Sequence, residues 1–75
     1  MTIARTLTIA GSAAQGSAGI QADLKTFQER EVYGMSAITA IVANNAKTEQ
    51  GILTQPLEAI EAQVDAAFEH VGVDA

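Results

Sequence analysis

The chain has 75 residues, which allows one small domain at most, and an apolar fraction of 48%, which is typical of a globular protein. Its formal net charge of −5 and four scattered basic residues argue against a nucleic-acid surface, and no apolar run approaches the ~18–20 residues of a membrane span. Cysteine is absent, which excludes disulfides and thiolate metal sites and permits a reducing, cytoplasmic setting.

The first part of the chain predicts a strand, a glycine-containing loop and a helix. We expect the strand over Thr6–Ala10, the loop over Gly11–Ser17 and the helix over Ala18–Arg30. The apolar residues of the helix recur at the spacing of one helical face: Ile20, Leu24 and Phe27. A glycine loop before a helix suits a polar ligand, because the backbone approaches closely and free N–H groups at the helix start point at the ligand.

A turn over Glu31–Gly34, with Gly34 as the residue of positive φ, leads to a second strand over Met35–Ala43. This strand is apolar on both faces, which is typical of a parallel sheet covered on both sides. A polar loop follows over Asn44–Gln50, and Gly51–Thr54 predicts a short extended segment.

A second helix is expected from Pro56, which suits a first helical turn, to a stop at Gly72. Its predicted buried face is Leu57, Ile60, Val64, Ala67, Phe68 and Val71. The last residues, Val73–Ala75, predict the start of a third strand. The order β-α-β-α-(β) indicates an α/β fold with a parallel sheet and right-handed crossovers.

So few strands would leave both sheet edges open and cannot cover both faces of the second strand. We therefore interpret residues 1–75 as the N-terminal portion of a larger α/β domain. The alternative is a chain that completes its sheet by assembling with other chains.

The loop from Gly11 to Ser17 partly matches the phosphate loop G-x-x-x-x-G-K-[ST] but lacks the lysine, so the match is weak. Asp23 falls at the edge of the inward helical face and needs a partner there. Its carboxylate would bind a substrate hydroxyl or backbone N–H groups, or else brace the loop.

Asn44 and Asn45 follow the second strand, at the sheet edge where open parallel sheets bind ligands. An amide offers a donor and an acceptor, which suits a heterocycle with an amino group next to a ring nitrogen. A simple loop asparagine is the other interpretation.

Four segments carry a family resemblance: residues 7–12, residues 33–43, residues 71–75 and the stretch Gly16-Ser-Ala-Gly-Ile-Gln-Ala-Asp-Leu-Lys-Thr-Phe27. They closely resemble the N-terminus of the hydroxymethylpyrimidine/phosphomethylpyrimidine kinases of thiamine biosynthesis. The resemblance implies a ribokinase-like fold, with a mostly parallel sheet, helices on both faces and a dimeric, cytoplasmic enzyme. It also implies transfer of the γ-phosphoryl group of ATP, with Mg²⁺, to 4-amino-5-hydroxymethyl-2-methylpyrimidine and then to its monophosphate.

By this resemblance Gly11 and Ala18 would line the pyrimidine pocket, Asp23 would lie near the substrate's hydroxyl end, and Asn44 would hydrogen-bond the aminopyrimidine edge. The chain departs from the family pattern at Ala13, where aspartate is usual, and at Ser17, where glycine is usual. Asn44 also stands where glutamine or glutamate is usual.

The family's nucleotide site and catalytic base lie in its C-terminal half, so the resemblance implies no catalytic, nucleotide-binding or metal-binding residue in these 75 residues. We therefore expect the chain alone to have no kinase activity. Two alternatives stay open: a pyridoxal-type kinase of the same fold, and a truncated, non-catalytic remnant that assembles through its open sheet edges.

Overall fold

The computed structural model describes residues 2–75 and contains an α/β arrangement of three strands and two helices. In chain order these are β1 (Arg5–Ala13), α1 (Gly19–Glu29), β2 (Tyr33–Val42), β3 (Ile52–Thr54) and α2 (Leu57–His70). The strands form one sheet in the order β1-β2-β3. The β1–β2 pair is parallel, as predicted, whereas the short β3 runs antiparallel to β2, so the sheet is mixed.

The first strand is longer than predicted, because it continues through Gly11 to Ala13 instead of ending at Ala10. Its register with β2 shifts within this extension: Ala10 lies opposite Ile38, but Ser12 lies opposite Ile41. Two residues of β2 therefore face one residue of β1, which is the pattern of a β-bulge. The predicted loop over Gly11–Ser17 is wrong for its first three residues, which belong to β1. Ser12 and Ala13 resemble loop residues in sequence and yet pair with β2.

Helix α1 lies on one face of the sheet and agrees closely with its prediction, with Ala18 and Arg30 as the capping residues. Ile20 is 4% exposed and anchors the helix. The predicted positive φ at Gly34 is wrong, because the residue with positive φ in this turn is Glu31, at 58°. Gly34 belongs to β2 instead, and a Cβ there would lie 2.9 Å from Cδ2 of Phe27. The absent side chain thus lets α1 pack directly on the strand.

Helix α2 packs against β2. Ala37, which is fully buried, points to the opposite face from Gly34 by strand alternation, and α2 covers that face. The predicted buried face of α2 is confirmed at Ala67 but wrong at Leu57, Phe68 and Val71, which are 70%, 57% and 39% exposed. Only a narrow part of the helix reaches the sheet, so these three side chains lie outside the contact.

In the middle of β2, a side chain satisfies backbone groups that a neighbouring strand would otherwise pair with, because β3 pairs only with the last residues of that strand. Gln63 of α2 accepts a hydrogen bond from the Ile38 N–H at 2.8 Å and donates one to the Ile38 carbonyl at 2.9 Å. Unpaired backbone groups away from water are costly, so this amide takes the place of a neighbouring strand.

The residues after α2 return to the free edge of β1, which supports the predicted strand start at Val73–Ala75. Ala75 donates its N–H to the Arg5 carbonyl at 3.3 Å and accepts from the Leu7 N–H at 2.9 Å, as in parallel pairing. The Arg5 guanidinium also donates to both carboxylate oxygens of Asp74, at 3.1 and 2.9 Å. These hydrogen bonds lower the pKa of Asp74 to about 2.

Neither helix in the described range is long and apolar enough to cross a membrane. The β3 edge exposes more than half of Ile52 and Leu53. Both edges of the sheet therefore remain accessible for further strands, except where the chain's own end pairs with β1.

Candidate functional site

A cavity of about 350 Å³ lies at the edge of the sheet where β1 and β2 end side by side. Because these strands are parallel, their carboxyl ends meet at one edge, which is where open α/β sheets bind ligands. The lining residues come from the end of β1, the β1–α1 connection, the end of β2 and the residues just after it: Ala13, Ala14, Gln15, Ser17, Ala18, Val42, Ala43, Asn44 and Asn45. Two of the predicted site residues, Ala18 and Asn44, are thus brought together.

One wall of this cavity is the segment of residues 14–17, which we call the wall loop. Its backbone is tied to β2 by a hydrogen bond from the Ala14 N–H to the Val42 carbonyl, at 3.0 Å. A second bond, from the Gly16 N–H to the Ala13 carbonyl at 2.9 Å, closes the turn, in which Gly16 has φ +79°.

Gly11 is not among the lining residues but positions the start of α1. Gly19, the first residue of the helix, has φ +63°, and a Cβ there would collide with the Gly11 carbonyl oxygen. The helix therefore begins in direct backbone contact with β1. This contact fixes Ala18, the residue before the helix, at the rim of the cavity.

The two asparagines at the end of β2 differ in how their side chains are used. Asn45 accepts from the N–H groups of Lys47 and Thr48, at 2.8 and 3.0 Å, and donates to the Ala43 carbonyl, at 2.8 Å. It is therefore committed to shaping its own loop. The exposed Asn44 side chain makes no hydrogen bond to any of residues 2–75 and rests on Gly51, where a Cβ would collide with it.

Asp23 lies one turn into α1 and is not among the lining residues. Its carboxylate accepts a hydrogen bond of 2.5 Å from the hydroxyl of Thr8, a buried residue of β1. The predicted need for a partner is met within the fold, as a brace between strand and helix. Its role near the substrate's hydroxyl end stays a prediction.

The chemistry of the cavity lining suits a small neutral ring and does not fit Mg²⁺ or a nucleoside triphosphate. None of its nine residues carries a charge. Across residues 2–75, no three His, Cys, Asp or Glu side chains gather closely enough to hold a metal ion. Magnesium prefers carboxylate oxygens, and phosphates require cationic or closely spaced N–H donors.

The predicted ligand loop, Ala18 and the two asparagines account for most of this lining, but sequence reasoning missed Val42 and Ala43. Their position at or just after a strand end was the available signal, but small apolar residues there are indistinguishable from ordinary strand residues. It also missed Gln21, whose amide hydrogen-bonds both the Ala13 N–H and the Ser12 hydroxyl.

Several curated proteins resemble the chain along its whole length. It is 51% identical over 75 residues to the hydroxymethylpyrimidine/phosphomethylpyrimidine kinase of Bacillus subtilis, covering 100% of the chain and 28% of that protein. It is also 50% identical over 78 residues to the pyridoxine kinase of the same organism, again with 100% and 28% coverage. The chain thus spans less than a third of the length of these relatives.

Solved structures give the same result. A structure described as the last common ancestor of HMPPK and PLK/HMPPK vitamin kinases is 65% identical, with a TM-score of 0.90 over 100% of the chain and 35% of that protein. The pyridoxal kinase of Staphylococcus aureus in complex with AMP-PCP and pyridoxal is 43% identical, with a TM-score of 0.87 over 99% and 28%. The predicted ribokinase-like α/β fold is therefore confirmed.

The family model for phosphomethylpyrimidine kinase matches residues 14–75, which include α1, all of β2 and β3, and α2. The match begins within the wall of the cavity and includes both Ala18 and Asn44. Sequence, fold and family model agree, and the chain belongs to the phosphomethylpyrimidine kinase family.

Proposed function

We propose that this chain forms the pyrimidine-binding part of an ATP-dependent kinase that phosphorylates 4-amino-5-hydroxymethyl-2-methylpyrimidine and then its monophosphate. The observation that carries the proposal is the Asn44 amide, which is exposed at the cavity and makes no hydrogen bond to the described residues. Its N–H₂ group can donate to a ring nitrogen while its oxygen accepts from the adjacent amine. An aminopyrimidine edge offers both groups side by side.

In this proposal, residues 1–75 are the N-terminal portion of a single kinase domain. The chain binds and orients the pyrimidine at the cavity between Ala18 and Asn44, with Gly11 holding the start of α1 in place. Phosphoryl transfer also requires groups that stabilise charge around the phosphate, and none of the nine residues that line the cavity carries a charge. These groups would come from the remainder of the domain.

The use of ATP is supported by the relatives. The Bacillus subtilis pyridoxal kinase structure is an ADP complex, at 47% identity and a TM-score of 0.88. The Staphylococcus aureus enzyme was solved with AMP-PCP, a non-hydrolysable analogue of ATP. Mg²⁺ as the accompanying ion and a homodimeric assembly are part of this proposal by family resemblance.

A pyridoxine or pyridoxal kinase is the second candidate, because relatives with that activity are equally similar: 50% identity against 51% for the pyrimidine kinase. The Asn44 amide favours the pyrimidine. A pyridoxal ring lacks an amino group next to its ring nitrogen, so only one of the two hydrogen-bonding groups of the amide would be used in the same way.

The test combines the native mass of the protein with a competition assay. A domain that holds both substrates needs roughly 250 residues, so the proposal predicts a native mass well above 7.8 kDa. The native protein should phosphorylate the pyrimidine with ATP, and pyridoxal should compete poorly. Preference for pyridoxal would select the second candidate. A native mass of 7.8 kDa with oligomers and no affinity for pyrimidine would select the non-catalytic remnant.

A further inference from the structure

Two polar side chains of α1, Gln21 and Lys25, reach back to the connection that walls the cavity. They are four residues apart and therefore lie one above the other on the same face of the helix. Neither lines the cavity itself. We call this pair the α1 clamp.

Gln21 of the clamp holds the end of β1, and Lys25 holds the wall loop. The Gln21 carbonyl oxygen accepts from the Ala13 N–H at 2.9 Å, and its amide nitrogen donates to the Ser12 hydroxyl at 2.8 Å. The Lys25 ammonium donates to the Gly16 carbonyl at 3.0 Å. The bonds of Gln21 are half-buried, whereas that of Lys25 is exposed to solvent.

The wall loop has little else to hold it. Its residues are Ala14, Gln15, Gly16 and Ser17, none of which is buried. Among residues 2–75, backbone hydrogen bonds hold it only at Ala14 and Gly16. Because this loop buries so little of its surface, the shape of the wall depends on polar contacts from the helix.

We propose that Gln21 and Lys25 are positioning residues that set the shape of the wall loop and hence the affinity of the cavity for a flat heterocyclic substrate. The inference rests on the proposed function for the identity of the ligand, but the clamp itself is independent of it. Neither side chain touches the ligand. Their effect acts through Ala13 and Gly16, whose backbone atoms they hold.

The test uses variants of similar size, Gln21→Met and Lys25→Met, with Lys25→Arg as the conservative variant. Gln28→Met and Arg30→Met serve as controls, because both residues lie at the far end of α1, are exposed and contact no part of the wall loop. Two quantities are measured by NMR on the native protein carrying each variant: the dissociation constant for 4-amino-5-hydroxymethyl-2-methylpyrimidine, and the hydrogen-exchange rate of the Ala13 amide.

Gln21→Met should raise the exchange rate of the Ala13 amide about ten-fold, because its acceptor is lost while the β1–β2 amides keep their protection. Both methionine variants should weaken pyrimidine binding about three- to ten-fold. Lys25→Arg should restore binding, since its guanidinium still donates to the Gly16 carbonyl. The two controls should match the unchanged chain.

Unchanged exchange at Ala13 in Gln21→Met would overturn the clamp, and so would an unaltered dissociation constant in both methionine variants. Failure of the unchanged chain to bind any pyrimidine would contradict the proposed function instead. In that case the exchange rates still decide whether the clamp exists.

Discussion

The backbone contact between Gly11 and Gly19 makes a sharp prediction for Gly19→Ala. Gly19 has φ +63°, and a left-handed backbone costs a residue with a side chain roughly 1–2 kcal/mol. The new Cβ would also collide with the Gly11 carbonyl oxygen, which belongs to the strand and cannot rotate away. Overpacking of this kind costs about 1–3 kcal/mol, so the total is about 2–5 kcal/mol.

The matched control is Gly16→Ala, because Gly16 also has positive φ, at 79°, but a Cβ there meets only the flexible end of Lys25, at 3.3 Å. It should lose only the backbone part, about 1–2 kcal/mol. Urea denaturation followed by circular dichroism gives the free energy of unfolding of both variants. Equal losses in the two variants would refute the argument that the helix start is held by direct backbone contact.

Three further predictions concern other contacts. Thr8→Val should lower the free energy of unfolding, measured by urea denaturation, by about 1–3 kcal/mol, because it removes the donor to the half-buried Asp23 carboxylate. An unchanged free energy of unfolding would mean that water replaces the hydroxyl. Hydrogen bonds from Arg5 hold the pKa of Asp74 at about 2, below the unfolded value of about 3.9. Their contribution to the free energy of unfolding is therefore complete above about pH 4 and is lost as the pH falls through 2. The difference in unfolding free energy between the unchanged chain and Asp74→Asn should therefore shrink between pH 4 and pH 2, and a constant difference would contradict this. The 75-residue chain alone should show no ATP-dependent phosphorylation of the pyrimidine, and measurable turnover would place the missing charge-stabilising groups within it.

Helical periodicity and strand composition predicted the elements well, because they report directly on which residues face the core. Both helices and the parallel β1–β2 pair follow from such patterns. The end of β1 did not follow, since Ser12 and Ala13 carry no strand signal and pair only because β2 offers them partners. The direction of β3 is likewise set by the tertiary fold rather than by its three residues.

The glycines show a similar limit. Gly34 was expected to provide positive φ, yet it is required for the close approach of Phe27, and Glu31 adopts the left-handed conformation. A sequence reveals that a position tolerates glycine but not which of the two reasons applies.

The site was predicted in part. Ala18 and Asn44, which line the cavity, could be predicted because strand ends and the residue before a helix can be located from sequence. Gly11 and Asp23 instead hold the scaffold behind it, through Gly19 and Thr8. Helical spacing placed Asp23 at the inward edge, but it could not show that a threonine hydroxyl of β1 lies within reach.

The central claim is that the cavity between Ala18 and Asn44 binds an aminopyrimidine edge through the Asn44 amide. The most direct test is a titration of the ¹⁵N-labelled chain, and of Asn44→Ala, with 4-amino-5-hydroxymethyl-2-methylpyrimidine. The account predicts shifts at residues 13–18 and 42–45 and a dissociation constant about ten-fold weaker in Asn44→Ala, as loss of a hydrogen-bonding pair should produce. Shifts confined to other residues, or equal affinity in the two chains, would contradict it.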